Sequence, residues 1–264
     1  MHEAQMNDES QFITLTYETL PNPEGSLNPP DFTKFIKRYR QELNRGIKPK
    51  DPKFINLRYY HGAEYGEENN GIKVPLGRPH HHACIFGHQF PDREVWDETE
   101  GIITYTSKIL SEIWGLGFVT TQDLTIGNAA YCARYAMKKI TTSQQSEEKY
   151  YAHYERTCPI TGEIKTLQPE YSTMSRKPGI GKDWYDKFNS DIFPHDTTIY
   201  KGKNIKTPRY YEQLLRETDE TTYDLIKAQR KKSALLHGAD NTPARLQARE
   251  KVKTLNYNQL KRKL

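Results

Sequence analysis

The sequence predicts an α+β fold in which one antiparallel sheet carries helices on both faces, followed by a basic helical extension. Three observations predict it. Runs of six to nine β-branched and aromatic residues alternate with segments of helical periodicity, in the order strand, helix, strand, strand, helix, strand, with a further helix after it. Along the third run, Cys84 and Phe86 fall on one side and Ala83 and Ile85 on the other, so both sides of the sheet must be covered. Positive charge gathers late in the chain: residues 201–264 hold sixteen Lys or Arg against seven Asp or Glu, a net +9. The first 200 residues therefore carry −4 of the overall +5.

The first strand is FITLTY, residues 12–17, bounded by polar residues. A Pro/Asn/Gly/Ser loop, PNPEGSLNPP, leads to a helix over 31–45, where Phe32, Phe35, Ile36, Tyr39 and Leu43 line one apolar face. FINLRYY, 54–60, is the second strand and continues toward Glu64. A Gly/Asn-rich connection joins it to the third, HHHACIFG. A short helix over 107–114 places Ile109, Leu110 and Ile113 inward. GFVTTQDLT, 117–125, is the fourth strand, and NAAYCARYAMKKI, 128–140, is a helix opening on an Asn cap. This order is that of the ferredoxin-like split βαβ unit, with two helices on one face and the Ala-rich third on the other. Beyond 141 a polar, Tyr-rich segment reaches a Pro-Gly turn in YSTMSRKPGIGKDWYDKF. Helices are expected over 208–236 and again from Pro243, with Thr242 as cap and Pro at the first helical position. The chain has no internal repeat.

Composition narrows the function classes. With 264 residues the chain is long enough for a sizeable core. Mean hydropathy is −0.91, no apolar run approaches the ~20 residues that cross a bilayer, and MHEAQMNDES has neither end of a secretory signal. A soluble, intracellular protein with no membrane partner is expected. Cys84, Cys132 and Cys158 are too few and too scattered for a disulfide framework or a four-thiolate zinc site. A cationic appendage on a mildly acidic body fits a polyanion such as nucleic acid, and equally a solvated charged surface.

The chemistry gathers at two places. Strand alternation sends His80 and His82 to one face and His81 to the other, so the outer pair can offer two imidazole nitrogens to one divalent ion. On the third helix Tyr131, Tyr135 and Lys138 stand at i, i+4 and i+7 and share one face. Such a stripe is compatible with core packing at a snorkelling edge. It also presents two phenols beside a cation. A phenol with a pKa near 10 is a poor nucleophile at neutral pH, and a metal that polarises a phosphoryl oxygen supplies what it lacks. Histidines on the sheet facing tyrosines on the covering helix would make a phosphoryl-transfer site.

These residues resemble a known family. HHH at 80–82 is similar to the His-hydrophobic-His signature of HUH endonucleases, and Tyr131-x-x-x-Tyr135-x-x-Lys138 to the paired tyrosines of their rolling-circle initiators. With FITLTY, GAEYG, RPHHHACIFG, AAYCARYAMKK, MSRKPGIG and TPRYYEQLL, the chain resembles to about Leu215 the replication initiators of gokushovirus-type microviruses. The resemblance implies that one tyrosine attacks a phage-origin phosphodiester, leaving a 5′ phosphotyrosine and a free 3′ hydroxyl. The second tyrosine then acts after one round, and the displaced strand is closed into a circle.

It further implies a Mg2+ or Mn2+ cofactor, with Glu64 of GAEYG as the candidate third ligand beside His80 and His82. Arg176 and Lys177 become candidate contacts to DNA phosphates. The implied partners are single-stranded or supercoiled phage origin DNA, a host replication helicase and a DNA polymerase, in the host bacterial cytoplasm. An HUH catalytic domain is expected over 1–190 and a basic, mostly helical extension over 191–264. Two departures accompany the resemblance: His81 occupies a position normally apolar, and the cysteine-bearing segment that commonly precedes MHEAQM is expected to be missing. The alternatives are another HUH transesterase, a transposase or relaxase, and a non-catalytic nucleic-acid-binding module, because the same strand order builds RNA-recognition folds.

Overall fold

The computed structural model describes residues 1–20, 25–66, 68–69, 72–73, 77–138, 147–158, 160–200 and 202–258. The side chains of 68–69, 72–73, 135–138, 147 and 257–258 lie outside that description. The chain divides into two compact units, Met1–Trp184 and Tyr185–Leu264, slightly ahead of the 190/191 boundary expected from the sequence.

In the first unit, helix α1 (His2–Gln5) precedes strand β1 (Ser10–Thr16), helix α2 (Pro29–Leu43) and strand β2 (Arg58–Tyr65). The two-residue strands β3 (Glu68–Asn69) and β4 (Ile72–Lys73) lead to β5 (Pro79–Phe86), then to the hairpin β6 (Arg93–Thr99) and β7 (Ile102–Ser107). Helix α3 (Lys108–Trp114), strand β8 (Val119–Asp123) and helix α4 (Ile126–Lys138) follow. Helix α5 (Glu147–Tyr154) precedes β9 (Glu155–Thr157), β10 (Ile164–Thr166) and β11 (Tyr171–Met174), and helix α6 (Lys182–Phe188) spans the division.

Seven strands form one sheet in the order β11-β2-β5-β1-β8-β7-β6, antiparallel throughout. Its four central strands, β2-β5-β1-β8, have the order of the ferredoxin-like unit, as the sequence predicts. The flanking strands were not foreseen. The β6–β7 hairpin turns on Glu100 and Gly101, both at positive φ (52° and 76°), between the paired Thr99 and Ile102. A two-residue turn of this kind matches the twist of the strands it joins.

Both faces of the sheet are covered, and the helices divide as expected. On one face Phe32, Phe35, Ile36 and Tyr39 of α2, with Leu110, Ile113 and Trp114 of α3, pack on Ile13, Leu15, Ala83, Ile85 and Val119. Each such side chain contributes about 1.5–3 kcal/mol by burial, which is what docks a helix of otherwise polar composition. Arg38 fastens the two helices by donating to the carbonyls of Ile113 and Trp114, each at 2.8 Å. On the other face Tyr131 and Cys132 of α4 pack on Phe12, Cys84 and Phe86.

Local boundaries differ from expectation at three places. Helix α2 opens at Pro29 rather than Asp31, because proline is favoured at the first helical positions. Residues 54–57 are not strand, and β2 begins at Arg58. Helix α4 begins two residues early: Thr125 is its cap, and Asn128 is the reciprocal partner, each side chain accepting from the other's backbone N–H (3.2 and 2.8 Å).

In the second unit, the strands β12 (Thr197–Tyr200) and β13 (Lys203–Lys206) form a hairpin ahead of helices α7 (Arg209–Thr218), α8 (Glu220–Leu236) and α9 (Pro243–Asn258). Tyr211, Leu214, Leu215 and Ile226 are buried. Arg230 bridges Asp196 and Glu212. Every described side chain of α9 is exposed. No helix among the described residues is long and apolar enough to cross a membrane.

Candidate metal centre and nucleophile helix

Register brings the polar cluster together. On adjacent antiparallel strands directly opposed residues point to the same face, and Glu64 of β2 is opposite His80 of β5, while Gly62 is opposite His82. Glu64 therefore shares a face with both histidines, and the absence of a side chain at Gly62 leaves room beside His82. The result is a compact group: Glu64 Oε1 lies 2.8 Å from His80 Nε2 and 3.2 Å from His82 Nε2. One ligand atom from each residue falls within 4.8 Å of the others.

The ring orientations are set by their other nitrogens. His80 Nδ1 donates to the Arg78 carbonyl at 3.1 Å, so its neutral form presents a bare Nε2 to Glu64. His82 Nδ1 is 3.0 Å from Thr14 Oγ1, on the neighbouring strand β1 where Thr14 is its register partner. A carboxylate facing a bare imidazole nitrogen needs a cation between them, either a proton or a metal. Two ligands at right angles about an ion ~2.1 Å from each stand about 3 Å apart, which is the spacing found here. The donor set of two imidazoles and one carboxylate suits Mn2+ or Mg2+ and leaves other coordination positions for substrate and water. The three residues fit a divalent ion.

Electrostatics agree with a cationic occupant. Burial would raise the Glu64 carboxyl, and the His80 and His82 imidazoles more than offset it, holding the group well below the usual carboxylate range. His82 is fully buried and Glu64 nearly so, and His80 is the ring that reaches toward solvent.

Helix α4 closes over this cluster. The Tyr131 ring meets His82 edge to face at 5.2 Å between centroids, and Phe12 stacks on the other side of that imidazole at 5.5 Å. Cys132 Sγ donates to the His82 carbonyl at 3.5 Å. The helix positions of Tyr135 and Lys138 continue the stripe begun by Tyr131, and their side chains lie outside the described residues. Arg176 and Lys177 are exposed in the turn after β11. That turn is pinned from below, since Arg58 donates to the carbonyls of Pro178 and Gly179 and Glu3 accepts from the Gly181 N–H.

His81 turns to the other face and is wholly buried. The Tyr17 hydroxyl donates to Asp31 at 3.0 Å and its oxygen accepts from His81 Nε2 at 2.9 Å. His81 Nδ1 then accepts from His61 Nε2 at 3.1 Å, and His61 Nδ1 from Thr173 Oγ1 at 3.0 Å. With this polarity every proton in the chain Thr173–His61–His81–Tyr17–Asp31 has one acceptor while both rings stay neutral. Desolvation lowers His81 to about 3, aided by the charges of His80 and His82, and lowers His61 well below its ordinary value. Sequence reasoning missed His61, Tyr17 and Thr14. Thr14 lay within reach of the argument, since it alternates onto the His82 face of its strand.

The core that carries this site matches known proteins. Residues 10–140, from β1 to the end of α4, match the family described as replication-associated protein ORF2. Replication-associated protein VP4 of Bdellovibrio phage phiMH2K is 31% identical over 213 residues, covering 80% of this chain and 59% of that protein. Replication-associated protein ORF2 of Spiroplasma virus 4 is 31% identical over 237 residues, covering 84% and 63%. The chain belongs to the family of phage replication-associated proteins. A third member, replication-associated protein ORF4 of Chlamydia phage 1, is 24% identical over 229 residues, with 84% of this chain and 50% of that protein covered. The chain thus spans about three fifths or less of the length of these replication-associated proteins. No solved structure matches it.

Proposed function

We propose that the chain is a phage replication initiator of the HUH type, which nicks single-stranded origin DNA through a tyrosine and rejoins the displaced strand as a circle. The observation that carries this reading is the Glu64–His80–His82 group lying directly under the helix that bears Tyr131. Glu64, His80 and His82 are the ligands of Mg2+ or Mn2+, which supplies Lewis-acid polarisation of a phosphoryl oxygen when bound. The chain's own residues do the rest. Thr14 and the Arg78 carbonyl hold the imidazoles in the ligating orientation. Tyr131 and Tyr135 alternate as nucleophiles, each displacing a 3′ oxygen and leaving a 5′ phosphotyrosine, and Lys138 offsets developing charge. The phenol loses one proton and the departing 3′ oxygen gains one, so the step is balanced.

Arg176 and Lys177 contact DNA phosphates, and the basic extension adds backbone affinity that falls with salt. A host helicase and polymerase extend the free 3′ end in the host cytoplasm. The test is incubation with Mn2+ or Mg2+ and single-stranded DNA tiling the chain's own replicon, followed by a search for a covalent phosphotyrosyl adduct. Replacing both tyrosines by phenylalanine is expected to abolish the adduct and spare DNA binding. Binding with no adduct from any fragment would instead favour a non-catalytic nucleic-acid module.

A further inference from the structure

Helix α4 carries a cation that the paired-tyrosine motif does not include. Arg134 stands at i+3 from Tyr131, so the helix positions 131, 134, 135 and 138 fall on one stripe. The Arg134 guanidinium lies over the Tyr131 ring, 5.7 Å from its centroid, and the far side of that contact is the Tyr131–His82 pair at 5.2 Å. Among the described residues no carboxylate pairs with Arg134, although it is half-buried. Two comparably half-buried guanidiniums are engaged by carboxylates: Arg93 with Asp123, and Arg230 with Asp196 and Glu212. A cation withdrawn partly from water and left without an anion is a site for an anion.

We propose that Arg134 is a catalytic residue that binds the non-bridging oxygens of the scissile phosphate during attack by Tyr131, an assignment resting on the nicking function above. In that step the Tyr131 oxygen bonds to phosphorus as the P–O3′ bond breaks. The phenol proton is released and the departing 3′ oxygen takes one up. The phosphoryl group passes from one negative charge toward two before the leaving group departs. A planar guanidinium matches two phosphoryl oxygens and is more strongly engaged as their charge grows, which makes it a contributor to rate rather than to binding.

The experiment compares wild-type, Arg134→Gln and Arg134→Lys chains, loaded with Mn2+, in single-turnover nicking of single-stranded DNA from the replicon. Arg134→Gln is expected to slow adduct formation about 100-fold at saturating DNA, with little change in DNA affinity or Mn2+ affinity. Arg134→Lys is expected to recover part of the rate. The decisive arm uses a methylphosphonate at the scissile position, which is neutral and lacks one non-bridging oxygen. There wild type and Arg134→Gln are expected to react at nearly equal rates. An equal loss on both linkages would mean that Arg134 only supports the helix, and would overturn the proposal. Wild-type nicking matched by Arg134→Gln on the ordinary phosphodiester would remove Arg134 alone. A wild-type chain that nicks no fragment would remove the nicking function and this assignment with it.

Discussion

The buried chain behind the histidine strand makes a quantitative prediction about acid stability. His61 is fully buried, stacked on Phe32 at 3.5 Å, and held neutral because desolvation, then the charges of His81 and His82, lower its pKa. Unfolding returns it to water, where its pKa is about 6.5. The sign follows from proton binding: the folded-state pKa lies below the unfolded one, so the stabilisation is complete above ~6.5 and is lost as pH falls. With the folded ring neutral throughout the range, the loss between pH 7 and 5 is set by the unfolded side chain alone, about 2 kcal/mol for one histidine.

His61→Phe retains the stack on Phe32 but removes the donor to His81 and the acceptor for Thr173, costing about 1–3 kcal/mol at pH 7. The variant is therefore expected to be less stable at pH 7 and to close most of that gap by pH 5. Urea denaturation followed by circular dichroism, with EDTA present at both pH values, measures the difference. Equal losses of stability in wild type and variant between pH 7 and 5 would refute the neutral, one-directional chain.

Other outcomes follow from the same geometry. Titration calorimetry is expected to detect one Mn2+ per chain, with Glu64→Ala and His82→Ala each weakening it at least about tenfold, as for loss of one ligand from a three-ligand site. At a free Mn2+ concentration of ~100 times the dissociation constant, the wild-type chain gains about 2.7 kcal/mol of stability, and Glu64→Ala gains far less. Gly117→Ala places a Cβ against the Glu18 backbone nitrogen and 2.6 Å from the Thr16 carbonyl oxygen. A shift of the β1–β8 pairing must follow, with a loss of at least ~2 kcal/mol in thermal denaturation. Thr125→Ala removes one half of the reciprocal cap of α4 and is expected to cost about 1 kcal/mol.

How far the sequence is legible depends on where the information lies. Alternation within β5 separates His80 and His82 from His81, and the helix period aligns 131, 135 and 138; both are local rules, and the two-sided sheet follows from them. The β6–β7 hairpin was missed although its turn signal is local. Val95, Trp96 and Ile102 are exposed and interspersed with Glu94, Asp97 and Glu98, so the strands lack the apolar alternation that marks a half-buried sheet. Strand β11 reads as loop because it is an edge, and only its pairing of Tyr171–Met174 with Tyr60–Ala63 identifies it. Thr14 and His61 enter the picture through contacts 68 and 20 residues away in sequence, which no single window contains.

The three consecutive histidines show why one unusual residue need not disturb a site. An apolar residue at 81 would be expected to fill the space between α2, α3 and the sheet, and an imidazole there must find partners or lose several kcal/mol to desolvation. It finds them because the residues that flank it on the same face, His61 and Tyr17, are themselves polar and ordered in one direction toward Asp31. Those bonds tie β5 to β2 and to the segment just after β1. The same two neighbours supply Glu64 and Thr14 to the opposite face. The register that seats His81 is thus the register that sets Glu64 against His80 and Thr14 against His82, so a slip of one residue would dismantle both faces at once.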